Sequence, residues 1–432
     1  MTPTSPSRRD VLKAGAALTA AASVGLGQAF TARRAHAQGG AAQSRARIDG
    51  VLKQAVDAKE VPGVVAMAAT DKGKVYEGAF GTRDLGKGPD MTLDTFFRIA
   101  SMTKAITCTA ALQLVEQGKL KVDDPVPAID PALSSPQVLD GFDAAGAPML
   151  RPVKRPITLR HLMTHTAGFS YEVWDGNTQR YVKVSGMPST ATGKVAALRM
   201  PLVFDPGDKW EYGVNIDWVG RIVESVSGQP IDAYFKDRIF GPLNMKDTGF
   251  VSSPEQRARQ ASVHQRQADG SLVPQPLETL FVPEFYAGGG GLYSTANDYL
   301  SFLQMLLNGG SFNGARILKP ETVALMERNH IGETPAGILK SYVPSRSNDV
   351  DLFPGAPIRW TLGHMLNVQA GPNGRSAGTV SWGGIFNTYY WIDPTKKVTG
   401  LIMTQILPFA DPRALKLYGQ FESGVYEAMK TA

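Results

Sequence analysis

The sequence predicts a mixed α/β fold in which one sheet domain, built from both ends of the chain, encloses a mostly helical region. On the N-terminal side, helical spacing over residues 45–59 precedes two strand patterns, 64–70 and 74–80, joined by a turn at Asp71-Lys72-Gly73. The last third has four β-rich segments and then an amphipathic helical pattern; these lie at 359–368, 379–382, 388–392, 399–405 and 413–429. Strands and a helix at both ends, with helices between them, are typical of a split α/β (α+β) domain.

Length and composition predict a globular protein with more than one domain. The chain has 432 residues, of which 43% are hydrophobic and 19% are charged. We predict three parts: a signal peptide at 1–37, a discontinuous sheet domain made of 42–98 and 340–432, and a mostly helical domain at 99–339. The helical domain carries the candidate nucleophile described below.

The N-terminal segment has the order of features that is typical of a twin-arginine (Tat) signal peptide. Residues 7–13 read Ser-Arg-Arg-Asp-Val-Leu-Lys, a modestly apolar run follows at 14–27, and Ala35-His36-Ala37 supplies a small-x-small cleavage site. The apolar run is too short to span a bilayer, and no other stretch approaches that length. The sequence therefore predicts a periplasmic or secreted protein without stable membrane insertion.

Charge and cysteine content exclude several classes of partner. Most of the formal net charge of +6 lies in the signal peptide, and the remaining chain carries about +2. No basic cluster is left that would indicate nucleic-acid binding. Cys108 is the only cysteine, so an intrachain disulfide is excluded, and its apolar surroundings predict a small buried hydrophobe.

The middle of the chain contains five predicted helices and three stretches without a clear pattern. The helices run from Ser101 to Gly118 and over 158–166, 216–226, 231–239 and 297–307, the last capped by Ser294 or Thr295. A Pro-rich stretch at 123–156 predicts an ordered excursion over the surface. We expect residues 170–200 and 265–285 to line the mouth of the site.

A serine and a lysine three residues apart open the first of these helices. Residues 97–104 read Phe-Arg-Ile-Ala-Ser-Met-Thr-Lys and lead into an apolar run without Gly or Pro. Since residues i and i+3 share a helix face, the Ser101 hydroxyl and the Lys104 amine can meet. A serine beside a partly desolvated lysine is one route to a nucleophilic hydroxyl. By itself the pattern fits a helix-capping serine beside a surface lysine equally well.

A second serine has the form of a nucleophile elbow but lacks its partner. Residues 374–378 read Gly-Arg-Ser-Ala-Gly, the G-x-S-x-G pattern of α/β-hydrolases, whose histidine follows the serine along the chain. The six histidines stand at positions 36, 161, 165, 264, 330 and 364, so none follows Ser376. We interpret this segment as a loop between strands.

Two further patterns do not reach the requirements of a metal or cofactor site. His161 and His165 have a zinc-compatible spacing, but no E-x-x-H arrangement and no acidic third ligand accompany them. The glycine run 288–291 lacks the Lys-Ser/Thr of a phosphate loop and the spacing of a dinucleotide fingerprint. We predict structural histidines, a tight turn or close backbone approach at the glycines, and neither metal nor cofactor.

Several ordered blocks make the chain resemble a known group of serine hydrolases. Besides 97–104, residues 162–168 read Leu-Met-Thr-His-Thr-Ala-Gly and residues 291–296 read Gly-Leu-Tyr-Ser-Thr-Ala. With these blocks the chain resembles the class C β-lactamase and penicillin-binding group, particularly its family VIII esterase branch, from about residue 45 to the C-terminal helix. The resemblance implies a β-lactamase-like fold, an antiparallel sheet flanked by N- and C-terminal helices, with the active site between the sheet and the helical domain.

Two departures from the group's motifs bear on the substrate. Tyr212-Gly213-Val214 stands where Y-x-N is usual, and Asn215 comes one place late. Trp382-Gly383-Gly384 stands where β-lactamases have K-T-G and resembles the W-G-G of the esterases. An indole thus replaces a cation, so a substrate carboxylate would lose its charge-assisted partner. The resemblance implies that Trp382 forms a pocket wall and that both glycines let an uncharged ester lie close to the strand.

The resemblance also implies the roles of the remaining site residues. Ser101 would be the nucleophile, Lys104 and Tyr212 would share the proton transfers, and the backbone N–H groups of Ser101 and Ile385 would form the oxyanion hole. Which of Lys104 and Tyr212 is the base stays open. The predicted function is a serine carboxylesterase that acts on small-molecule esters with short acyl chains. The alternatives are a β-lactamase, a D-alanyl-D-alanine peptidase, an acyltransferase to a small alcohol and, outside enzymes, a penicillin-binding-like sensor.

Overall fold

The computed structural model describes residues 42–276 and 283–430. The predicted signal peptide at 1–37 lies outside the described residues, as does part of the stretch 265–285. No helix among the described residues is long and apolar enough to cross a membrane.

A seven-stranded antiparallel sheet joins the two ends of the chain. Its strands, in chain order, are β1 (Gly63–Thr70), β2 (Gly73–Gly81), β3 (Ile358–Trp360), β4 (Met365–Asn367), β5 (Val380–Gly384), β6 (Thr388–Asp393) and β7 (Val398–Met403). Their order across the sheet is β3-β4-β5-β6-β7-β1-β2. The N-terminal hairpin therefore extends the C-terminal strands, with Val65 opposite Met403. Central strands β1, β6 and β7 are buried on both faces, which explains their nearly continuous apolar sequences.

Helices cover both faces of the sheet, as the alternating side chains of β6 show. Tyr389 and Trp391 face the C-terminal helix, where they pack against Tyr418 and Phe421 with ring centroids 4.9 and 5.7 Å apart. Tyr390, between them, faces the other way and packs against Tyr299 at 5.5 Å. Since successive strand residues point to opposite faces, the sheet is the middle layer of a three-layer structure.

Among the described residues, the five longest helices are labelled in chain order. They are α1 (42–57), α2 (Thr103–Glu116), α3 (Asn215–Ser227), α4 (Ala296–Leu307) and α5 (Pro412–Lys430). Shorter helical segments, including 3-10 turns and one π turn, are Ala100–Met102, Pro131–Ser134, Leu159–Met163, Gly176–Ser185, Thr190–Thr192, Val195–Leu198, Ile231–Phe235, Lys236–Phe240, Pro254–Ala258 and Pro320–Glu327. Short paired strands are Phe96–Arg98 with Tyr293–Thr295, Gln137–Phe142 with Pro148–Pro152, His264–Arg266 with Leu272–Pro274 and Ile406–Leu407, and Ser311–Phe312 with Ala315–Arg316.

Most of the predicted helices and strands are confirmed, and the structure differs from the prediction in three segments. The terminal helices, the β1–β2 hairpin and the C-terminal strands lie where the patterns placed them, and Thr295 rather than Ser294 caps α4. The Pro-rich stretch 123–156 contains a β-hairpin, the stretch 170–200 contains a ten-residue helix, and segment 359–368 is divided between two strands.

The loop with the G-x-S-x-G pattern has a structural role, as predicted. Arg375 is buried and forms an ion pair with the buried Glu422 of α5. Its remaining donors reach Asn367, Ser381 and Tyr418, so the loop clamps β4 and β5 to α5. The loop lies between β4 and β5, and this position confirms its interpretation as a connection between strands.

The two closely spaced histidines do not lie on one helix. The Leu159–Met163 helix ends before His165, whose φ of 58° turns the chain away. Among the residues that the structure describes, no group of His, Cys, Asp and Glu side chains could hold a metal ion. Cys108 is buried, which agrees with its prediction as a small hydrophobe.

Candidate active site

Ser101 lies on a tight turn between a short strand and α2. The turn Ala100–Met102 is a 3-10 helix that runs directly into α2 at Thr103, so the predicted helix start near Ser101 is confirmed to within two residues. Ala100 has a φ of 43°, a left-handed conformation that costs a non-glycine residue on the order of 1 kcal/mol. Phe96–Arg98 pairs with Tyr293–Thr295 and fixes the strand that leads into the turn. The serine is therefore presented by a strained 3-10 turn at the N-terminal end of α2.

Lys104 is buried in the first turn of α2, and its amine has three partners. Its side chain is 1% exposed, and Nζ donates to Ser101 Oγ at 3.2 Å, to the Gly289 carbonyl at 2.6 Å and to the Tyr171 hydroxyl at 3.4 Å. A lysine has three N–H donors, so the described contacts use its full capacity. The structure thus brings the predicted serine and lysine into hydrogen-bond contact in a desolvated place.

Tyr212 lies beside the lysine, but its hydroxyl has a different partner. The Lys104 amine lies 4.6 Å from the centre of the Tyr212 ring, a cation–π distance. The Tyr212 hydroxyl accepts a hydrogen bond from the Trp382 indole N–H at 2.9 Å. The tyrosine hydroxyl to which Lys104 donates is that of Tyr171. Tyr212 is therefore part of the cluster, with Trp382 orienting its hydroxyl.

The Trp382-Gly383-Gly384 segment is the end of β5, and it packs directly on the turn that carries the serine. A Cβ atom at Gly384 would lie 2.3 Å from the Ile99 carbonyl oxygen, and one at Gly383 would lie 2.6 Å from the Tyr389 ring. Protein groups therefore require glycine at both positions, and the approach of substrate to this strand stays a prediction. Ile385, the predicted second oxyanion donor, follows Gly384 directly and is half-buried.

Asn215, one place late for the usual motif, is turned away from Lys104. Its side-chain amide donates to the Phe169 carbonyl at 3.0 Å and lies 3.1 Å from His165 Nδ1. That His165 nitrogen also accepts from the Gly213 N–H at 3.4 Å. Burial, with the nearby charge of Lys104, lowers the pKa of His165 well below its usual value, so the ring is neutral. Asn215 and His165 together hold the loop that positions Tyr212.

The glycine run 288–291 approaches α2 and α3 closely, in agreement with the predicted backbone approach. A Cβ at Gly289 would lie 2.4 Å from Asp217 Oδ2, and the Gly288 carbonyl accepts from Thr107 Oγ1 at 2.6 Å. Sequence reasoning missed Asp217, Tyr171 and the Gly289 carbonyl as members of the site. The one sequence signal that Asp217 offers is an acidic residue on the apolar face of a predicted helix, and this signal does not indicate its partners.

The family follows from comparison with known proteins. Residues 48–423 match the β-lactamase family, and residues 5–25 match the twin-arginine translocation signal sequence. The chain therefore belongs to the β-lactamase family, as the predicted resemblance and fold implied, and its N-terminus carries a signal for export across the membrane. The export prediction is confirmed by this match.

Relatives place the chain among enzymes of ester chemistry. It is 33% identical over 399 residues to monacolin J acid methylbutanoyltransferase of Aspergillus terreus, which covers 87% of this chain and 94% of that protein. It is 30% identical over 393 residues to lovastatin esterase of Penicillium rubens, with 88% and 98% coverage.

Two solved structures have the same fold. Unliganded simvastatin synthase from Aspergillus terreus has a TM-score of 0.78 at 29% identity, covering 90% of this chain and 99% of that one. EstCE1, a hydrolase with promiscuous acyltransferase activity, has a TM-score of 0.69 at 25% identity, with 89% and 99% coverage. Both acyltransferases and hydrolases thus occur among these similar proteins, which supports an enzyme with ester chemistry.

The contact between β5 and the serine turn gives a testable prediction. In Gly384→Ala, the new Cβ would meet the Ile99 carbonyl and separate β5 from the turn. We expect kcat/KM for a p-nitrophenyl ester to fall roughly 100-fold, the effect of a misplacement near 1 Å. Gly50→Ala on α1, where nothing lies within 4 Å, is the control and should keep wild-type activity. Wild-type kcat/KM in Gly384→Ala would contradict the prediction.

Proposed function

We propose that this protein is an exported serine esterase that hydrolyses uncharged carboxylic esters with short acyl chains through an acyl-enzyme on Ser101. The observation that carries the proposal is the 3.2 Å contact between Ser101 Oγ and the buried amine of Lys104. A lysine amine in hydrogen-bond contact with a serine hydroxyl is an arrangement that can activate the hydroxyl as a nucleophile.

The proposed reaction has two steps. Ser101 Oγ attacks the ester carbonyl carbon while its proton passes to Lys104 or Tyr212, and the N–H groups of Ser101 and Ile385 stabilise the oxyanion. The bond to the alcohol oxygen then breaks, and the alkoxide receives the proton. A water molecule attacks the acyl-enzyme by the same route and releases the acid and free Ser101.

The preference for uncharged esters rests on the wall formed by Trp382. This residue replaces the lysine of the K-T-G motif, is 2% exposed and donates its indole N–H to Tyr212. A substrate carboxylate at this wall would find no charge-assisted partner, whereas an ester needs none.

Replacement of the nucleophile is the first test. Ser101→Ala should lower ester hydrolysis to background, at least about 10³-fold, since removal of a nucleophile removes the covalent route. Circular dichroism and thermal unfolding should be unchanged. Ser376→Ala is the matched control and should keep nearly full activity, because the described Ser376 contacts are backbone ones, including its N–H to Asp393. The opposite pattern would rule out Ser101 as nucleophile.

The choice of substrate is the second test. Initial rates with p-nitrophenyl acetate and butyrate should exceed those with a chromogenic cephalosporin by roughly 30-fold or more, because losing the charged partner of the carboxylate costs about 2 kcal/mol. A series of p-nitrophenyl esters of increasing chain length should show falling kcat/KM. Comparable rates on the cephalosporin would favour a β-lactamase instead.

Acyl transfer to an alcohol is the second candidate function. The specific observation in its favour is the identity of the relatives, which include the methylbutanoyltransferase of Aspergillus terreus at 33% identity over most of both chains. The two functions share the acyl-enzyme and differ in the acceptor that resolves it.

Partition of the acyl-enzyme distinguishes the two functions. With p-nitrophenyl butyrate and added 1-butanol, a hydrolase should yield mainly butyric acid, measured by gas chromatography, with p-nitrophenol release little changed. An acyltransferase should yield mainly butyl butyrate and release p-nitrophenol faster as alcohol is added, because the alcohol then speeds deacylation. The amounts of acid and ester formed without enzyme, and with Ser101→Ala, measure the background reaction.

A further inference from the structure

Lys104 is linked to a buried carboxylate through two intermediate residues, each of which hydrogen-bonds to both groups. Asp217, in the first turn of α3, is 5% exposed. Its Oδ1 accepts the Gly289 N–H at 2.9 Å and its Oδ2 accepts the Tyr171 hydroxyl at 3.2 Å. The same Gly289 offers its carbonyl to Lys104 at 2.6 Å, and the same Tyr171 hydroxyl accepts from Lys104 at 3.4 Å. Asp217, Gly289, Lys104 and Tyr171 thus close a ring of hydrogen bonds.

The ring depends on the close approach of Gly289 to α3. A side chain there would place its first carbon 2.4 Å from Asp217 Oδ2, so only glycine lets its N–H reach the carboxylate. Gly288 is held in turn by Thr107 of α2, through its carbonyl. The loop is therefore attached to the same two helices that carry the lysine and the aspartate.

Charge balance around Lys104 depends on the same carboxylate. The titratable groups that face the lysine from the packed elements are Cys108, His165, Tyr171, Tyr212 and Asp217. Burial raises the pKa of Cys108 and lowers that of His165, so both are neutral. Burial and the neighbouring Asp217 raise the pKa of Tyr171, which remains a neutral hydroxyl. Burial also raises the pKa of Asp217, against the opposing effects of Lys104, Gly289 and Tyr171.

We propose that Asp217 is a positioning residue, which acts through Tyr171 and Gly289 to hold the Lys104 amine against Ser101 and to set the pH range in which the proton of Ser101 is accepted. Asp217 does not touch the reacting atoms; its two bridges do not reach Ser101 except through Lys104. The proposal rests on the proposed function of Ser101 and Lys104.

The negative charge of Asp217 determines the direction in which the pH profile should move when this residue is replaced. A nearby negative charge opposes the loss of a proton from the groups around it. Asp217→Asn keeps the shape and removes the charge, so this opposition is removed. The acid limb of the kcat/KM profile should then move to lower pH by roughly one unit.

The test compares pH profiles of matched variants on p-nitrophenyl butyrate. Asp217→Asn should lower kcat about 10-fold or more, with KM within about 3-fold of wild type, because the lysine is less firmly held after binding. Asp298→Asn on α4 is the matched control: it is also a first-turn carboxylate, is 6% exposed, and accepts from Asp247 N–H and Thr248 away from Lys104. It should keep the wild-type kcat and pH profile.

A second variant keeps the proposal testable if Asp217→Asn fails to fold. Tyr171→Phe removes one bridge and should lower kcat in the same direction by a smaller factor. When both fold, the double variant should be no slower than Asp217→Asn alone, since both changes break one ring. The proposal would be overturned if the effects of the two substitutions on kcat were fully additive. It would also be overturned if a folded Asp217→Asn variant had the wild-type kcat and the wild-type acid limb of the pH profile.

Failure of the positioning role is distinguishable from failure of the proposed function. If Ser101→Ala retains activity, the esterase assignment fails whatever Asp217 does. If Ser101→Ala is inactive and Asp217→Asn matches wild type at every pH, only the role of Asp217 fails. Labelling of Ser101 by a fluorophosphonate, measured by intact mass, should be slowed in Asp217→Asn and unchanged in Asp298→Asn.

Discussion

The buried amine of Lys104 is the group on which the arrangement of the site depends. Placing an amine that can carry charge away from water costs several kcal/mol unless polar groups surround it. Here a hydroxyl, a carbonyl and a phenol accept its three N–H groups, and an aromatic ring lies beneath it. These acceptors come from separate parts of the chain, which the fold must bring within hydrogen-bond distance of one atom.

The sheet supplies the other half of the site by a contact between two backbones. Gly384 at the end of β5 lies against Ile99, and Gln405 bonds both the N–H and the carbonyl of Arg98. The strained turn at Ala100 is thus supported on one side by β5 and on the other by the strand pairing of Phe96–Arg98. A rigid frame of this kind can keep an unfavourable backbone conformation at the residue before the serine.

Much of this architecture could be predicted from the sequence, because its signals are local. Alternating strands, turn residues and the S-x-x-K spacing gave the sheet strands and the Ser101–Lys104 pair, and the ordered motif blocks pointed to Tyr212 and Trp382. Tyr171 and Asp217 could not be found in this way, because their importance lies in contacts across α2, α3 and the glycine loop. The turn at Ala100 was missed for a related reason: an alanine carries no sequence signal for a positive φ, and only the surrounding packing imposes it.

The sheet order also determines when the site can exist during folding. Gln405 reaches Arg98 across 307 residues of sequence, and β5 and β7 come after every helix of the middle region. Pairings of such long range are slow to form, since the loop entropy is lost before the contacts are gained. A chain that has not yet docked its last strands holds Ser101 and Lys104 but lacks the β5 wall and the Ile385 N–H. A complete site therefore requires that the C-terminal strands have joined the sheet.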